Sequence, residues 1–232
     1  MKIKLLVVAA TALVAGSAMA AGSAFEGFYG QVSTGYENNS ANSTTFTTGP
    51  APVANLGLGS SSKGSVPLVV GLGYTFSLAP QYLLGVGADY STLSSTLNNS
   101  NLTCPAGGCT GAQAQVKVSN RYSVYVTPGY QIDKDKMAYL KAGYSNQKVQ
   151  EQLAGTATPA GAQLGSATTG GYVLGLGYKQ IIDGGFYGFG EANYYSYSGA
   201  SLNNTLSDGT TLSGNNPKTT AYNFLVGVGY KF

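Results

Sequence analysis

Over its last thirteen residues the chain alternates strictly between two kinds of position. Thr220, Tyr222, Phe224, Val226, Val228, Tyr230 and Phe232 share one parity, and Ala221, Asn223, Leu225, Gly227, Gly229 and Lys231 share the other. Successive side chains of a strand point to opposite faces, so this run predicts a strand with one bulky apolar face and one small or polar face. The same alternation recurs over 28–36, 66–76, 82–91, 116–131, 138–145 and 171–179, with the even positions apolar. A further run, 186–197, is less regular, because Gly188 and Gly190 fall on the apolar parity and Phe189 on the other. In the 116–131 run the rule sends Val116, Val118, Tyr122, Val124 and Val126 to the apolar face and Lys117, Ser119 and Arg121 to the opposite one. The prediction is eight antiparallel strands.

Their connections alternate in length. Short ones at 77–81, 133–136 and 182–185 are rich in Pro, Asp, Lys and Gly. Long ones at roughly 38–64, 95–115, 151–169 and 198–217 consist of Asn, Ser, Thr, Gly and Ala. Short turns at one end and long loops at the other mark an up-and-down membrane barrel. A soluble sandwich or lipocalin-like barrel buries its apolar face and keeps charge outside. Here the non-apolar face is mostly Gly, Ser and Tyr, with few charges to meet water.

Aromatic residues of the apolar parity fall into two sets. Phe28, Tyr74, Tyr82, Tyr130, Tyr178, Phe186 and Tyr230 lie toward one end of the strands, and Tyr36, Tyr90, Tyr122, Tyr144, Tyr172, Tyr194 and Tyr222 toward the other. Tyrosine has an apolar body and a polar tip and favours the lipid–water boundary. Phe28 and Tyr36, Tyr82 and Tyr90, and Tyr222 and Tyr230 are each eight residues apart. At ~3.3 Å per residue that is about 26 Å along a strand, or about 20 Å of height after a ~40° tilt, close to the ~25 Å apolar band of such barrels.

Composition agrees with this picture. Only 9% of the 232 residues are charged, while Gly numbers 34 and Tyr 18. The first twenty residues read as a signal peptide: Lys2 and Lys4, then the apolar Leu5 to Val14, then Ala18-Met19-Ala20 as a small-x-small cleavage site. The expected domains are therefore the signal peptide, 1–20, and one barrel domain, 21–232. Without Lys2 and Lys4 the basic count falls from 12 to 10 against 9 acids, which gives no case for a nucleic-acid partner.

A run that ends on an aromatic inside a strand is expected where the last strand pairs with the first and no edge is left. On this pattern and terminus the chain resembles Gram-negative outer-membrane β-barrels of the OmpA transmembrane domain, OmpX and opacity-protein type. The resemblance covers the chain from residue 21 on, and the family pattern has a polar residue where Phe224 stands. It implies an all-β, eight-stranded up-and-down barrel with three periplasmic turns and four extracellular loops, located in the outer membrane. It also implies that Gly227, Tyr230 and Phe232 form a terminal signal for the barrel assembly machinery. Outer-membrane lipids and periplasmic chaperones are the further expected partners, with host, phage or matrix contacts through the loops, and a monomeric state.

The odd parity holds Asp89, Lys117, Arg121, Lys141, Lys179 and Glu191, expected inside the barrel. Eight strands enclose a space that side chains just fill, and charges there must be paired. Asp89 with Arg121, and Lys179 with Glu191, are the pairs suggested by neighbouring strands; Lys141 has no assigned partner. These residues either plug the interior or line a narrow pore. Inward Tyr29, Tyr125, Tyr139, Phe189 and Tyr195 add bulk, whereas the inward glycines would leave cavities. The G-x-G pairs lack the third glycine and the helix of a phosphate loop and read as small interior residues.

The sequence has no His, which removes the usual general base and the commonest metal ligand. No catalytic, cofactor or metal site is expected. Cys104 and Cys109, in the second long loop, suit a small disulfide in an oxidising compartment. The expected function is a non-enzymatic barrel for envelope integrity with surface loops free for adhesion. The alternative is a narrow porin-like channel, or a route for small hydrophobic molecules.

Overall fold

In the computed structural model the residues described are 23–49, 55–103, 111–155, 163–199, 201–205, 209, 211–215 and 217–232. The signal peptide and Cys104 and Cys109 lie outside them. The described residues form β1 (Gly27–Ala41), β2 (Thr44–Gly49), β3 (Asn55–Leu58), β4 (Ser61–Ser65), β5 (Leu68–Ala79), β6 (Tyr82–Ser91), β7 (Ser95–Thr96), β8 (Ser100–Thr103), β9 (Ala112–Asp133), β10 (Lys136–Gly155), β11 (Gln163–Asp183), β12 (Phe186–Tyr197), β13 (Ser201–Thr205), β14 (Thr211–Asn215) and β15 (Thr219–Lys231).

The fold is all-β and antiparallel. β1 pairs β5, β5 pairs β6, β6 pairs β9, β9 pairs β10, β10 pairs β11, β11 pairs β12 and β12 pairs β15. β15 then pairs β1, with Lys231 opposite Tyr29, so the ladder returns to its start. The Phe232 amide donates to the Phe28 carbonyl at 2.8 Å and carries this seam to the terminal residue. A sheet closed this way leaves no unpaired edge along the ladder.

Three connections are two-residue turns, at 80–81, 134–135 and 184–185. Gly184 and Gly185 both have positive φ, 52° and 97°, the combination that glycine supplies to tight hairpins. The opposite end carries structure that the alternation did not reveal. β13, β14, β2, β3 and β8 pair in series, and β8 joins β9. β9, β10 and β11 run for 22, 20 and 21 residues, about twice the 9–11 that a membrane-crossing strand needs.

The even-parity side chains face outward, as expected. Leu72, Leu140, Leu176 and Val226 are each more than 60% exposed. The two aromatic sets meet across strands: Phe28 is opposite Tyr74, Tyr82 opposite Tyr130 and Phe186 opposite Tyr230 at the short-turn end. At the other end Tyr90 is opposite Tyr122, Tyr144 opposite Tyr172, and Tyr194 opposite Tyr222.

One part of the parity reading is overturned. Val116 and Val118 are buried, packed with Ala41, Phe46, Leu58, Leu97, Ala114 and Val149 inside the long-loop end. Lys117, expected inside, is on the outer face. The cause is a β-bulge. Between Tyr122 and Ser119, β9 spends one residue more than β10 spends between their partners, Asn146 and Lys148. Asn120 there has φ 51°, a conformation that Asn tolerates better than most residues. An extra residue in one strand exchanges its two faces beyond that point. Arg121 therefore points in while Lys117, of the same parity, points out.

Candidate functional site: the polar interior

Inside the closed sheet, between the two aromatic sets, a hydrogen-bonded network spans the lumen. Lys141 on β10 donates to Asp89 Oδ2 on β6 at 2.9 Å and to Glu191 Oε1 on β12 at 2.8 Å. The Tyr139 hydroxyl donates to Glu191 Oε2 at 2.8 Å, and Asn193 Nδ2 donates to Glu191 Oε1 at 2.7 Å. Lys141 Nζ also lies 4.2 Å from the centre of the Tyr125 ring, where the π face favours a cation.

A second centre lies nearer the long-loop end. Arg121 on β9 donates from Nη1 to Glu37 Oε2 on β1 at 2.5 Å and from Nη2 to Asn39 Oδ1 at 2.6 Å. Gln147 Oε1 receives both Nε and Nη2 at 3.3 Å. The guanidinium carbon stands 4.9 Å from the centre of the Tyr195 ring. Asn223 on β15 joins the two centres: its Oδ1 accepts from Asn193 at 2.9 Å and its Nδ2 donates to Glu37 at 3.3 Å. One polar lattice thus ties β1, β6, β9, β10, β12 and β15 across the lumen.

The expected partners change in detail. Arg121 pairs with Glu37, not Asp89, because its guanidinium crosses the lumen instead of turning to the adjacent strand. Lys141, without an assigned partner from sequence, holds two carboxylates. Lys179 makes no ion pair with Glu191; its ammonium sits 4.1 Å from the centre of the Tyr29 ring and 4.9 Å from that of Tyr187. Glu37 lies one residue past the 28–36 alternation, while β1 continues to Ala41. It continues the inward series Tyr29, Gln31, Ser33 and Gly35 by one step, and that parity was the available signal. From the level of one aromatic set to that of the other, within one residue of each, the interior holds Arg121, Lys141 and Lys179 against Glu37, Asp89 and Glu191. The charges balance, which limits the cost of placing them out of water.

The inward glycines leave little empty space. Gly177 is opposite Tyr139, Gly229 opposite Tyr187, Gly227 opposite Phe189, Gly73 opposite Tyr29 and Gly87 opposite Tyr125. A Cβ added at Gly73 would come 2.5 Å from the Tyr29 hydroxyl, and one at Gly87 would come 2.8 Å from Tyr125 Cε2. Each glycine is the seat of an aromatic ring from the next strand, which covers its backbone. Toward the short turns, Phe25, Leu83, Met137 and Tyr139 form an apolar floor beside Tyr29, Tyr187 and Phe189. A cavity of about 10 Å³ remains there, lined by Phe25, Tyr29, Thr75 and Lys179 among others, the lower limit for one water.

At the long-loop end Glu151 is fully buried, and among the described residues neither of its carboxylate oxygens has a hydrogen-bond partner. It lies seven residues beyond Tyr144, about 18 Å above the aromatic set for a ~40° tilt. Burial pushes its carboxyl up to about 7.

The family model described as outer membrane protein beta-barrel domain matches residues 6–232. No curated protein matches the chain. Among solved structures, the attachment invasion locus protein Ail of Yersinia pestis is 14% identical, with 89% of this chain and 99% of that chain covered and a TM-score of 0.44. The outer membrane protease OmpT of Escherichia coli is 13% identical, covering 90% and 97%, with a TM-score of 0.48. The outer membrane protein OprG of Pseudomonas aeruginosa is also 13% identical, covering 89% and 97%, with a TM-score of 0.48.

Proposed function

Since the chain belongs to the outer membrane protein beta-barrel domain family and so resides in the outer membrane, we propose that it is an eight-stranded, non-conducting and non-enzymatic barrel that supports envelope integrity. The three two-residue turns face the periplasm in this reading, and the long connections face the exterior. The observation that carries it is the continuous network from Asp89 through Lys141, Glu191, Asn193, Asn223 and Glu37 to Arg121, which crosses the lumen between the aromatic sets. With aromatic rings seated on glycines below and the apolar cluster around Val116 and Val149 above, the interior is a plug rather than a water-filled route.

The folded extension at the long-loop end serves in this proposal as a firm surface for adhesion or other contacts. Its apolar centre, with Phe46, Leu58 and Leu97 each at most 4% exposed, supports this, because packed loops lose less entropy on binding. Gly227, Tyr230 and Phe232 act as the signal for the assembly machinery, and the protein works as a monomer among outer-membrane lipids. The lumen acids Glu37, Asp89 and Glu191 are held as ion-pair partners, and the sequence offers no His, so the reading assigns no catalysis. Planar-bilayer recording tests the plug. Insertion confirmed by heat-modifiable gel mobility should give no unitary conductance steps, and reproducible steps would establish a channel instead.

A further inference from the structure

The bulge at Asn120 places Lys117 on the outer wall, and Lys148 stands on the same wall of the adjacent strand. Lys148 is opposite Ser119, and Lys117 is opposite Gln150. The two lysines line a groove of about 350 Å³ together with Ser94, Ser119, Asn120 and Gln150. Among the described residues neither lysine has a carboxylate within ion-pair distance. The groove is a built feature of the bulge, since Asn120 Oδ1 also accepts from the Tyr90 hydroxyl at 3.3 Å.

Its height matters. Lys117 is five residues above Tyr122 and Lys148 four above Tyr144, about 10 Å above the outer aromatic set for a ~40° tilt. A lysine stem reaches back toward the boundary. The ammonium groups therefore fall in the headgroup layer, which extends about 5–8 Å beyond the hydrocarbon on each side. The wall above is rich in amides: Gln113, Gln115, Gln150 and Gln152 alternate with buried residues on β9 and β10, and Asn99 bonds both Gln113 and Gln115. Amides of this kind hydrogen-bond sugar hydroxyls from both donor and acceptor sides. Charge is also uneven between the two ends. Beyond the outer aromatic set, the described charged residues on the outside are Lys63, Lys117, Lys148 and Lys218. The short-turn end mixes Glu26, Asp133, Asp135 and Asp183 with Lys134, Lys136 and Lys231.

We infer that the Lys117–Lys148 groove binds a phosphate group of a phosphorylated glycolipid in the outer leaflet, with the neighbouring amides contacting its sugars. The inference rests on the barrel reading and its orientation. Two lysines at diagonal register positions of adjacent strands, with no carboxylate at ion-pair distance among the described residues, match a phosphate dianion, and the adjoining hydroxyls and amides supply further donors.

The test uses the full-length protein in phosphatidylcholine nanodiscs doped with a diphosphorylated diglucosamine lipid or its dephosphorylated counterpart, with retained lipid counted by native mass spectrometry. The wild-type protein should retain the phosphorylated lipid over the dephosphorylated one. Lys117→Gln/Lys148→Gln should lower that retention about 30-fold, the scale of two basic residues facing an anionic surface. Lys63→Gln/Lys218→Gln should retain lipid as wild type does. Equal retention of the two lipids by the wild-type protein overturns the site, and this comparison decides the matter by itself if the double variant does not fold. Unchanged retention in the double variant, or an equal loss in the control variant, overturns it as well. Displacement of the lipid by millimolar inorganic phosphate would mark a free-phosphate site and overturn the lipid assignment. Absence of heat-modifiable mobility in the wild-type protein would overturn the barrel reading and this site with it.

Discussion

Among the described residues Lys141 is the buried cation that holds two carboxylates. Its ammonium bridges Asp89 at 2.9 Å and Glu191 at 2.8 Å while its side chain is 2% exposed. Each contact is worth about 6 kcal/mol of attraction at an effective dielectric near 20, most of it offset by the cost of taking the ions out of water. The two carboxylates fare unequally in Lys141→Met. Glu191 keeps Tyr139 and Asn193 as donors. Asp89 loses the one side-chain donor it has among the described residues. Breaking a buried pair by removing one partner costs about 3–5 kcal/mol, and that is the loss expected for Lys141→Met. It should be read by equilibrium urea unfolding in lipid vesicles, followed by gel mobility because the chain has no Trp. The triple variant Lys141→Met/Asp89→Asn/Glu191→Gln removes the stranded charges together and should recover at least half of the loss. A single variant within about 1 kcal/mol of wild type, or a triple variant no more stable than the single, would refute the assignment of Lys141 as the neutralising centre.

Gly177→Ala should destabilise by about 1–3 kcal/mol in the same assay through overpacking, since its Cβ would meet the Tyr139 ring. Gly30→Ala, with nothing near its Cβ, should cost little. Glu151 is held up to about 7 by burial, above its unfolded value. The folded state therefore holds the proton more tightly, and stability should fall as pH rises from about 4.5 through 7. Glu151→Gln should be the more stable form at pH 8, by up to about 3 kcal/mol, with the gap closing toward pH 5; a constant difference between the two pH values would contradict this. Spin labels at Val126 and Val226 should report lipid, whereas a label at Val118 should report neither lipid nor bulk water. A lipid signal at Val118 would remove the bulge.

Sequence alone determined what depends on near neighbours. A strand turns each side chain away from the next, so the outward series from Phe28 to Tyr36 and from Tyr222 to Tyr230 was legible from parity. The aromatic sets followed from spacing, and the tight turns from their own residues. The inward positions of Asp89, Arg121, Lys141, Lys179 and Glu191 came the same way. What only the tertiary structure decided depends on residues far apart in the chain. Arg121 meets Glu37 across 84 positions, and Lys141 meets Glu191 across 50. Parity states which face a side chain joins, but not which side chain it meets across a lumen. The bulge at Asn120 was hidden for a related reason. A single extra residue leaves the local composition unchanged, yet it exchanges the faces of everything beyond it, burying Val118 and turning Lys117 outward. The same limit applies to the glycines, whose apparent voids are filled by aromatic rings that the pairing register alone brings over them.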